Sequence, residues 1–208
     1  MIRDEPALLN LYSKESVADF EWLIHGRRVR RYVRSLFEGI SLQGLYEDQF
    51  ASSDIEMIAD AAQFHDIGKI NVLPHILNHK GALPTDYLDA IKQHSADGET
   101  ILSGITQDAP HLEAYIDMAI KIASTHHERW DGLGYPKGLS GAQIPLVGRV
   151  VAIADIYDAL VSSRSYKEGW SHLDACKEII GQAGTRYDPK LIEIFKQRTD
   201  HFLELSRI

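Results

Sequence analysis

Apolar residues recur along most of the chain at three- and four-residue steps, the spacing that lines one face of a helix. The first stripe, Ala18, Trp22, Val29, Val33 and Leu36, predicts a helix capped by Ser13 or Ser16 and running to about Gly39. Ser53-Asp54-Ile55-Glu56 reads as a capping box and predicts a second helix, with Ile55, Ile58, Ala59 and Ala62 on its inner face. Thr85 is placed to cap a third, which carries Leu88, Ile91 and later Ile101. A fourth follows Pro110, with Leu112, Ile116, Ala119 and Ala123. A loop with glycines and prolines, Trp130 to about Pro145, leads to a fifth from Val147 to about Ser162. Segments from Ser171 to Ala183 and from Asp188 to about Arg198 close the chain, and Asp188-Pro189 is a cap followed by a first-turn proline. Val150 to Ala154 has the composition of a buried strand, but no second run is there to pair with it. The expected fold is an all-α bundle.

Extended by one step, these stripes collect unusual residues. The first passes through His25, the second reaches His65, the third runs Tyr87, Ile91, His94, Gly98, Ile101, and the fourth ends at His126. The fifth carries Asp155 and Asp158 beside Val151 and Ala154. A single histidine on an apolar face is more often a hydrogen-bonded core residue than a ligand. Five helices turning histidine or aspartate inward together is a different pattern. Buried polar and charged groups are costly unless a shared partner compensates them, and divalent cations between the helices are the simplest such partner.

The local spacings agree with that reading. His65-Asp66 offers an imidazole next to a carboxylate able to bridge two metals. The side chains of His126 and His127 would diverge by about 100° on a helix, so they suit different metals or a site at the helix end. Glu21 and His25 stand four residues apart on one face, a spacing that also describes a plain surface pair. Mixed imidazole and carboxylate donors suit Fe, Mn or Zn better than Ca or Mg. His75, His79, His111, His172 and His201 lie off the stripes or in loops and read as ordinary surface residues.

Composition narrows the classes of function. The chain has 208 residues, 44% of them hydrophobic, enough for one core. Its net charge of -8 makes it a poor holder of a nucleic-acid polymer. The single cysteine, Cys176, excludes an internal disulfide and a thiolate zinc cluster, and reads as a packing residue. No run approaches the roughly 20 apolar residues of a membrane span. Acids near the N-terminus stand where a secretory signal needs bases, so a cytoplasmic protein is expected.

Three motifs are shared with a known family. His65-Asp66-Ile67-Gly68-Lys69 resembles the signature of the HD-type metal-dependent phosphohydrolases. The run from His126-His127-Glu128 through Asp131-Gly132 to Gly134-Tyr135-Pro136 is similar to the stretch that defines the HD-GYP subfamily. Asp155 to Leu160, followed by Arg164, Tyr166 and Lys167, resembles the segment that comes next in that subfamily. The similarity covers about Glu21 to Phe195. It implies a compact HD-domain bundle over residues 21–208, preceded by an N-terminal extension over 1–20. It implies metal ligands at His25, His65, Asp66, His94, His126, His127 and Asp155, and at Glu21 where a third metal is held. Two or three divalent ions, Fe or Mn, would be the cofactors. Asp66 would bridge metals, Lys69 would meet the charge developing on a phosphate, and Lys69, Arg164 and Lys167 would contact the ligand. The implied reaction is hydrolysis of cyclic di-GMP to pGpG and, in some members of the family, on to GMP, with Tyr135 and Pro136 open to a protein partner.

Where relatives read Pro-Asp, Lys-Pro and proline, this chain has Leu73-Pro74, His79-Lys80 and Ser165, departures expected to alter the loop over the ligand. Relatives often carry a sensor domain ahead of this one, and the short stretch before Glu21 is expected to supply no regulation in cis. Two other readings stay open: a phosphodiesterase for a hybrid cyclic dinucleotide, and a receptor that binds the messenger without cleaving it. Asp158 is equally open, as a group that orients a ligand histidine or as a local cap or salt bridge.

Overall fold

The computed structural model describes residues 20–162 and 168–207, and within these not the side chains of 20–23, 106–108 and 110. The expected caps at Ser13 and Ser16, the departure at Ser165 and the ligand contacts at Arg164 and Lys167 fall outside the described residues. So does the side chain of Glu21.

Among the described residues the fold is helical, with one isolated bridge between Ala183 and Tyr187. Helix α1, Phe20–Leu42, is central and packs against α2 (Ile55–Ala61), α7 (Leu146–Val161) and α9 (Pro189–Ser206). Its inner face is wider than the sequence stripe, because Tyr32, Phe37 and Ile40 are buried along with Val29, Val33 and Leu36. Between α2 and α7 come α3 (Pro74–Leu77), α4 (Thr85–Lys92), α5 (His94–Asp108) and α6 (Glu113–Ala123). Helix α8, His172–Gly181, precedes α9. The run Val150 to Ala154 lies inside α7, where four of its five residues are buried.

Aromatic rings fasten α1, α7 and α9 together. Tyr32 stacks on Phe202 at 4.7 Å, and Phe202 meets Tyr157 and Phe195 edge-on at 4.9 and 5.1 Å. Phe202 carries α9 past the expected stop at Arg198, since its burial against α1 repays another two turns. Asp188 caps α9 as expected, accepting from the Lys190 N–H at 2.9 Å. It also accepts from Arg149 at 2.6 Å and from the Tyr46 hydroxyl at 2.8 Å, a buried charge pair with its remaining lone pair used. Ser171 caps α8 through the Asp174 N–H.

Three local expectations are corrected. Thr85 is the first helical residue after Pro84 and makes no capping bond. Ser53 does not open α2: a 3-10 turn over Ser52–Asp54 comes first, and the Asp54 carboxylate reaches back to the Ala51 N–H at 3.1 Å. The expected single third helix is broken at Gln93 into α4, which buries none of its residues, and α5, which does the packing. The break lets His94 start a new helix that runs inward.

Cys176 is buried in α8, and burial pushes its thiol up to about 11. The thiolate is the reactive form. At pH 8 iodoacetamide should therefore label folded protein at least about a hundredfold more slowly than urea-unfolded chain, on the thiolate fraction alone. Mass spectrometry of the alkylated peptide over time checks this; equal rates would mean that Cys176 is open to solvent.

A candidate metal centre between the helices

Each candidate side chain is placed by a helix end or a helix face. His25 lies on α1, Asp155 and Asp158 on α7, and His94 is the first residue of α5. After α2 the chain tightens into a 3-10 turn, Ala62–Phe64, and a second one, Ile67–Asn71, with His65 and Asp66 between them. The second turn lies against α5. Only glycine allows that approach: a Cβ on Gly68 would stand 1.9 Å from the His94 carbonyl oxygen and 2.6 Å from the Gly98 nitrogen. One motif residue thus has its reason in packing, since Gly68 is what brings Asp66 to His94.

Helix α6 stops at Ala123, and the chain turns through Ser124–His127. His126 and His127 therefore do not diverge as neighbours on a helix would. Their rings lie 4.0 Å apart and enter the same group of donors. Of the two arrangements left open by the sequence, the helix-end site is the one formed.

The donors make two abutting groups. In one, Asp66, His94, His126 and His127 bring a ligand atom each to within 4.8 Å of one another; in the other, His25, His65 and Asp155 do the same. Asp66 stands between them. Its Oδ1 lies 3.3 Å from His94 Nε2 and 3.8 Å from His126 Nε2, while its Oδ2 lies 3.4 Å from His65 Nε2 and 4.0 Å from His25 Nε2. His25 Nε2 also lies 3.2 Å from Asp155 Oδ1.

The other ring nitrogen of four histidines is already engaged. His65 Nδ1–H donates to the Ala62 carbonyl at 2.9 Å, His94 Nδ1–H to Ile91 at 2.5 Å, and His126 Nδ1–H to Ala123 at 3.0 Å. His25 Nδ1–H donates to the Asp158 carboxylate at 2.7 Å. Each bond fixes the ring and turns Nε2 toward the centre, the arrangement expected of imidazoles that ligate a metal. His127 is oriented differently, by stacking on Tyr135 at 4.7 Å.

Electrostatics divides the two groups. Burial opposes charge on His65, but Asp66 and Asp155 reverse this and lift it to about 10. His25 is raised in the same way, against burial, by Asp155 and Asp158. Burial holds His94 down at about 4, aided by the His126 and Lys69 charges, and pushes His127 far below the usual range. Asp66 and Asp155 stay ionised despite burial, Asp66 through Lys69 and His65, Asp155 through His25 and His65. The Asp66 and Asp155 carboxylates hold His25 and His65 in the charged form, and a divalent cation that displaced those protons would meet a donor set that fits it in charge and in type.

Lys69 forms an ion pair with Asp66, and its side chain is 35% exposed at the edge of the site. A cleft of about 290 Å³ opens beside the donors, lined among others by His126, His127, Asp155, Tyr135 and Arg186. Tyr135 and Pro136 belong to a loop folded back on the second histidine pair. The Glu128 carboxylate, buried, accepts from the Lys137 and Leu139 N–H groups at 2.7 and 2.9 Å.

Two residues of the site were not assigned from the sequence. Asp158 is 1% exposed and is gripped by Arg28 through Nε at 2.6 Å and Nη2 at 2.8 Å while it accepts from His25. Its i, i+3 relation to Asp155 was the available signal; nothing in the sequence pointed to Arg28. Asp158→Asn is expected to weaken metal binding about 10- to 100-fold with the fold intact, the usual cost of losing an outer partner of a ligand. Metal retention during dialysis against a graded chelator measures it, and retention equal to the parent protein would show that His25 needs no such partner.

Three histidines read as surface residues are partly buried instead. His172 bonds the Tyr157 hydroxyl at 2.8 Å, His201 lies 3.0 Å from Ser35 Oγ, and the His79 ring meets Tyr87 edge-on at 5.3 Å. His75 and His111 are exposed.

A helical domain whose interior is lined by imidazoles converging on carboxylates defines the class of protein. The chain belongs to the HD-domain family, whose profile matches residues 20–191. It is 36% identical over 183 residues, 88% of this chain and 42% of the relative, to a protein of Vibrio cholerae serotype O1 named "Probable cyclic di-GMP phosphodiesterase". It is also 36% identical over 181 residues, 87% of this chain and 32% of the relative, to the "3'3'-cGAMP-specific phosphodiesterase 2" of the same organism. The chain thus spans less than half the length of these relatives. Among solved structures, the "HDG"Y"P" protein Bd1817 from Bdellovibrio bacteriovorus shares the fold, with a TM-score of 0.65 at 18% identity over 98% of this chain and 59% of that one.

Proposed function

We propose that this domain is a metal-dependent phosphodiesterase that hydrolyses cyclic di-GMP to pGpG, with the further step to GMP left to product analysis. The observation that carries the reading is the convergence of four Nε2 atoms to within 4.0 Å of Asp66, beside an open cleft. The names of the relatives support the substrate class. His94, His126, His127 and Asp66 would hold one divalent ion, and His25, His65 and Asp155, with Asp66 shared, a second. Glu21 is the candidate for a third. The donor chemistry favours Fe or Mn. Such ions supply Lewis acidity toward a phosphoryl oxygen and make water a usable nucleophile at neutral pH.

The chain's own residues do the rest. The carbonyls of Ala62, Ile91 and Ala123 and the Asp158 carboxylate hold the imidazoles in one tautomer. Lys69 puts a positive charge at the mouth, where a phosphate gains charge during in-line attack. Arg164 and Lys167 are the remaining candidates for ligand contact. The domain is read as 21–208, because α9 past the matched segment still packs its Phe202 on α1. A cytoplasmic setting fits the free thiol, and among the described residues no helix is long and apolar enough to cross a membrane.

The test is product analysis. Protein purified without oxygen and loaded separately with Fe(II) or Mn(II) should convert cyclic di-GMP to pGpG on a chromatogram, and GMP as end product would add a second hydrolytic step. Faster turnover of 3'3'-cGAMP would move the assignment to the hybrid substrate. Tight binding without product from fully loaded protein would replace the enzyme by a receptor.

A further inference from the structure

The cleft carries two guanidinium groups, and only one of them is committed. Arg129 donates from Nε at 3.0 Å and from Nη2 at 2.5 Å to the two oxygens of Asp131. Arg186 has no carboxylate partner among the described residues and is exposed in the turn between α8 and α9. Its backbone is nevertheless fixed. The Arg186 carbonyl accepts from Trp130 N–H at 3.1 Å, its N–H donates to Gln182 at 3.0 Å, and the adjacent Thr185 carbonyl accepts from Asp131 N–H at 2.8 Å. The turn is therefore stitched to the loop that carries Arg129, Leu133 and Tyr135 of the cleft lining. Burial raises the Tyr135 and Tyr187 phenols, and the Arg186 charge works against it at both, so its field spans the opening.

The two acids of the cleft lining are engaged elsewhere: Asp155 lies 3.2 Å from His25 Nε2 and 3.7 Å from His65 Nε2. Both Glu128 oxygens are taken by backbone N–H groups. An anchored guanidinium without a counter-ion, in a chain of net charge -8, is a ready acceptor site for an anionic ligand. A cyclic dinucleotide has two phosphodiesters. When one lies against the His/Asp groups, the other still needs a cation, and a guanidinium fits two phosphate oxygens at once.

We propose that Arg186 binds the phosphate of the cyclic dinucleotide that is not undergoing hydrolysis. The assignment rests on the phosphodiesterase reading above and makes Arg186 a substrate-binding residue of the same site.

The experiment compares Arg186→Gln, Arg186→Lys and, as a charge-matched control, Lys190→Gln, an exposed base outside the cleft lining. Each is loaded with Mn(II); KM and kcat are measured with cyclic di-GMP, and Kd by calorimetry on the time scale before turnover. Arg186→Gln should raise both KM and Kd about tenfold, the effect of one exposed charge-assisted hydrogen bond, with kcat within about twofold. Its Kd should also depend less on salt. Arg186→Lys should recover to within about threefold, because a phosphate accepts a point charge where a purine edge does not. Lys190→Gln should match the parent protein. Unchanged KM and Kd in Arg186→Gln, or a loss confined to kcat, overturns the assignment. A Lys variant as weak as the Gln variant overturns the phosphate as its target. If the parent protein binds without hydrolysis and Arg186→Gln still loses binding, the enzyme reading falls and the contact stands. If the parent neither binds nor hydrolyses, both fall.

Discussion

Asp66→Ala is expected to lower the proposed cyclic di-GMP hydrolysis by at least about a hundredfold and to leave the protein short of metal, since even an outer partner of a ligand is worth about 10- to 100-fold. The reason lies in its position. Asp66 is the carboxylate within 4.0 Å of Nε2 atoms from both donor groups, and it is buried at 3% exposure. Removing it takes a negative charge from a site whose attraction for cations depends on two buried carboxylates. It also frees Lys69 from its ion pair and takes away the main influence that keeps His65 cationic against burial. Asp66→Asn preserves the shape and is expected to fail almost as badly, which separates lost charge from lost packing. Metal per chain by elemental analysis and pGpG formation by chromatography are the readouts. A variant that keeps its full metal content and turns over within about tenfold of the parent would remove Asp66 from the centre.

Gly68→Ala is expected to be the most damaging single methyl group in the domain. The new Cβ would stand 1.9 Å from the His94 carbonyl oxygen and 2.8 Å from its carbon, both backbone atoms that no rotamer change can move. The Ile67–Asn71 turn must then lift away from α5. Overpacking in a dense interior costs about 1–3 kcal/mol and sometimes more; at this site the upper end applies, a melting temperature lower by roughly 6–12 °C for a domain of this size. The same shift separates Asp66 Oδ1 from His94 Nε2, now 3.3 Å apart, so metal affinity should fall along with stability. Gly98→Ala serves as the comparison: its Cβ would meet the Ala123 Cβ at 3.2 Å, a tight contact that a small shift relieves. Calorimetric melting with and without metal tests both effects. A Gly68→Ala protein that melts and binds metal as the parent does would mean that the approach of the turn to α5 is not needed.

Much of this was legible along the chain. Helix periodicity placed α1, α6 and α7, and the same periodicity showed that His25, His65, His94 and Asp155 point inward, because a side chain on an apolar stripe must enter the core. Asp188 announced its cap through local chemistry that depends on a few neighbouring residues. The errors share a cause. The break at Gln93, the preliminary turn before α2 and the two additional turns of α9 were set by what each segment packs against, which lies far away in sequence. His172 and His201 were misread for the same reason: Tyr157 and Ser35, their partners, are 15 and 166 residues away.

The sequence by itself determined an acidic, all-α domain with imidazoles and carboxylates on the inner faces of several helices, because residue type and helical spacing are local properties. Only the tertiary structure decided how those residues combine. It ended α6 at Ala123, so that His126 and His127 serve one group. It brought Asp66 between two groups through the bare backbone at Gly68, and it gave Asp158 the task of holding His25 with Arg28 on its other side. Such outcomes depend on distances of 3–4 Å between segments far apart in the chain, and those distances are fixed by close packing of the whole core rather than by any stretch of it.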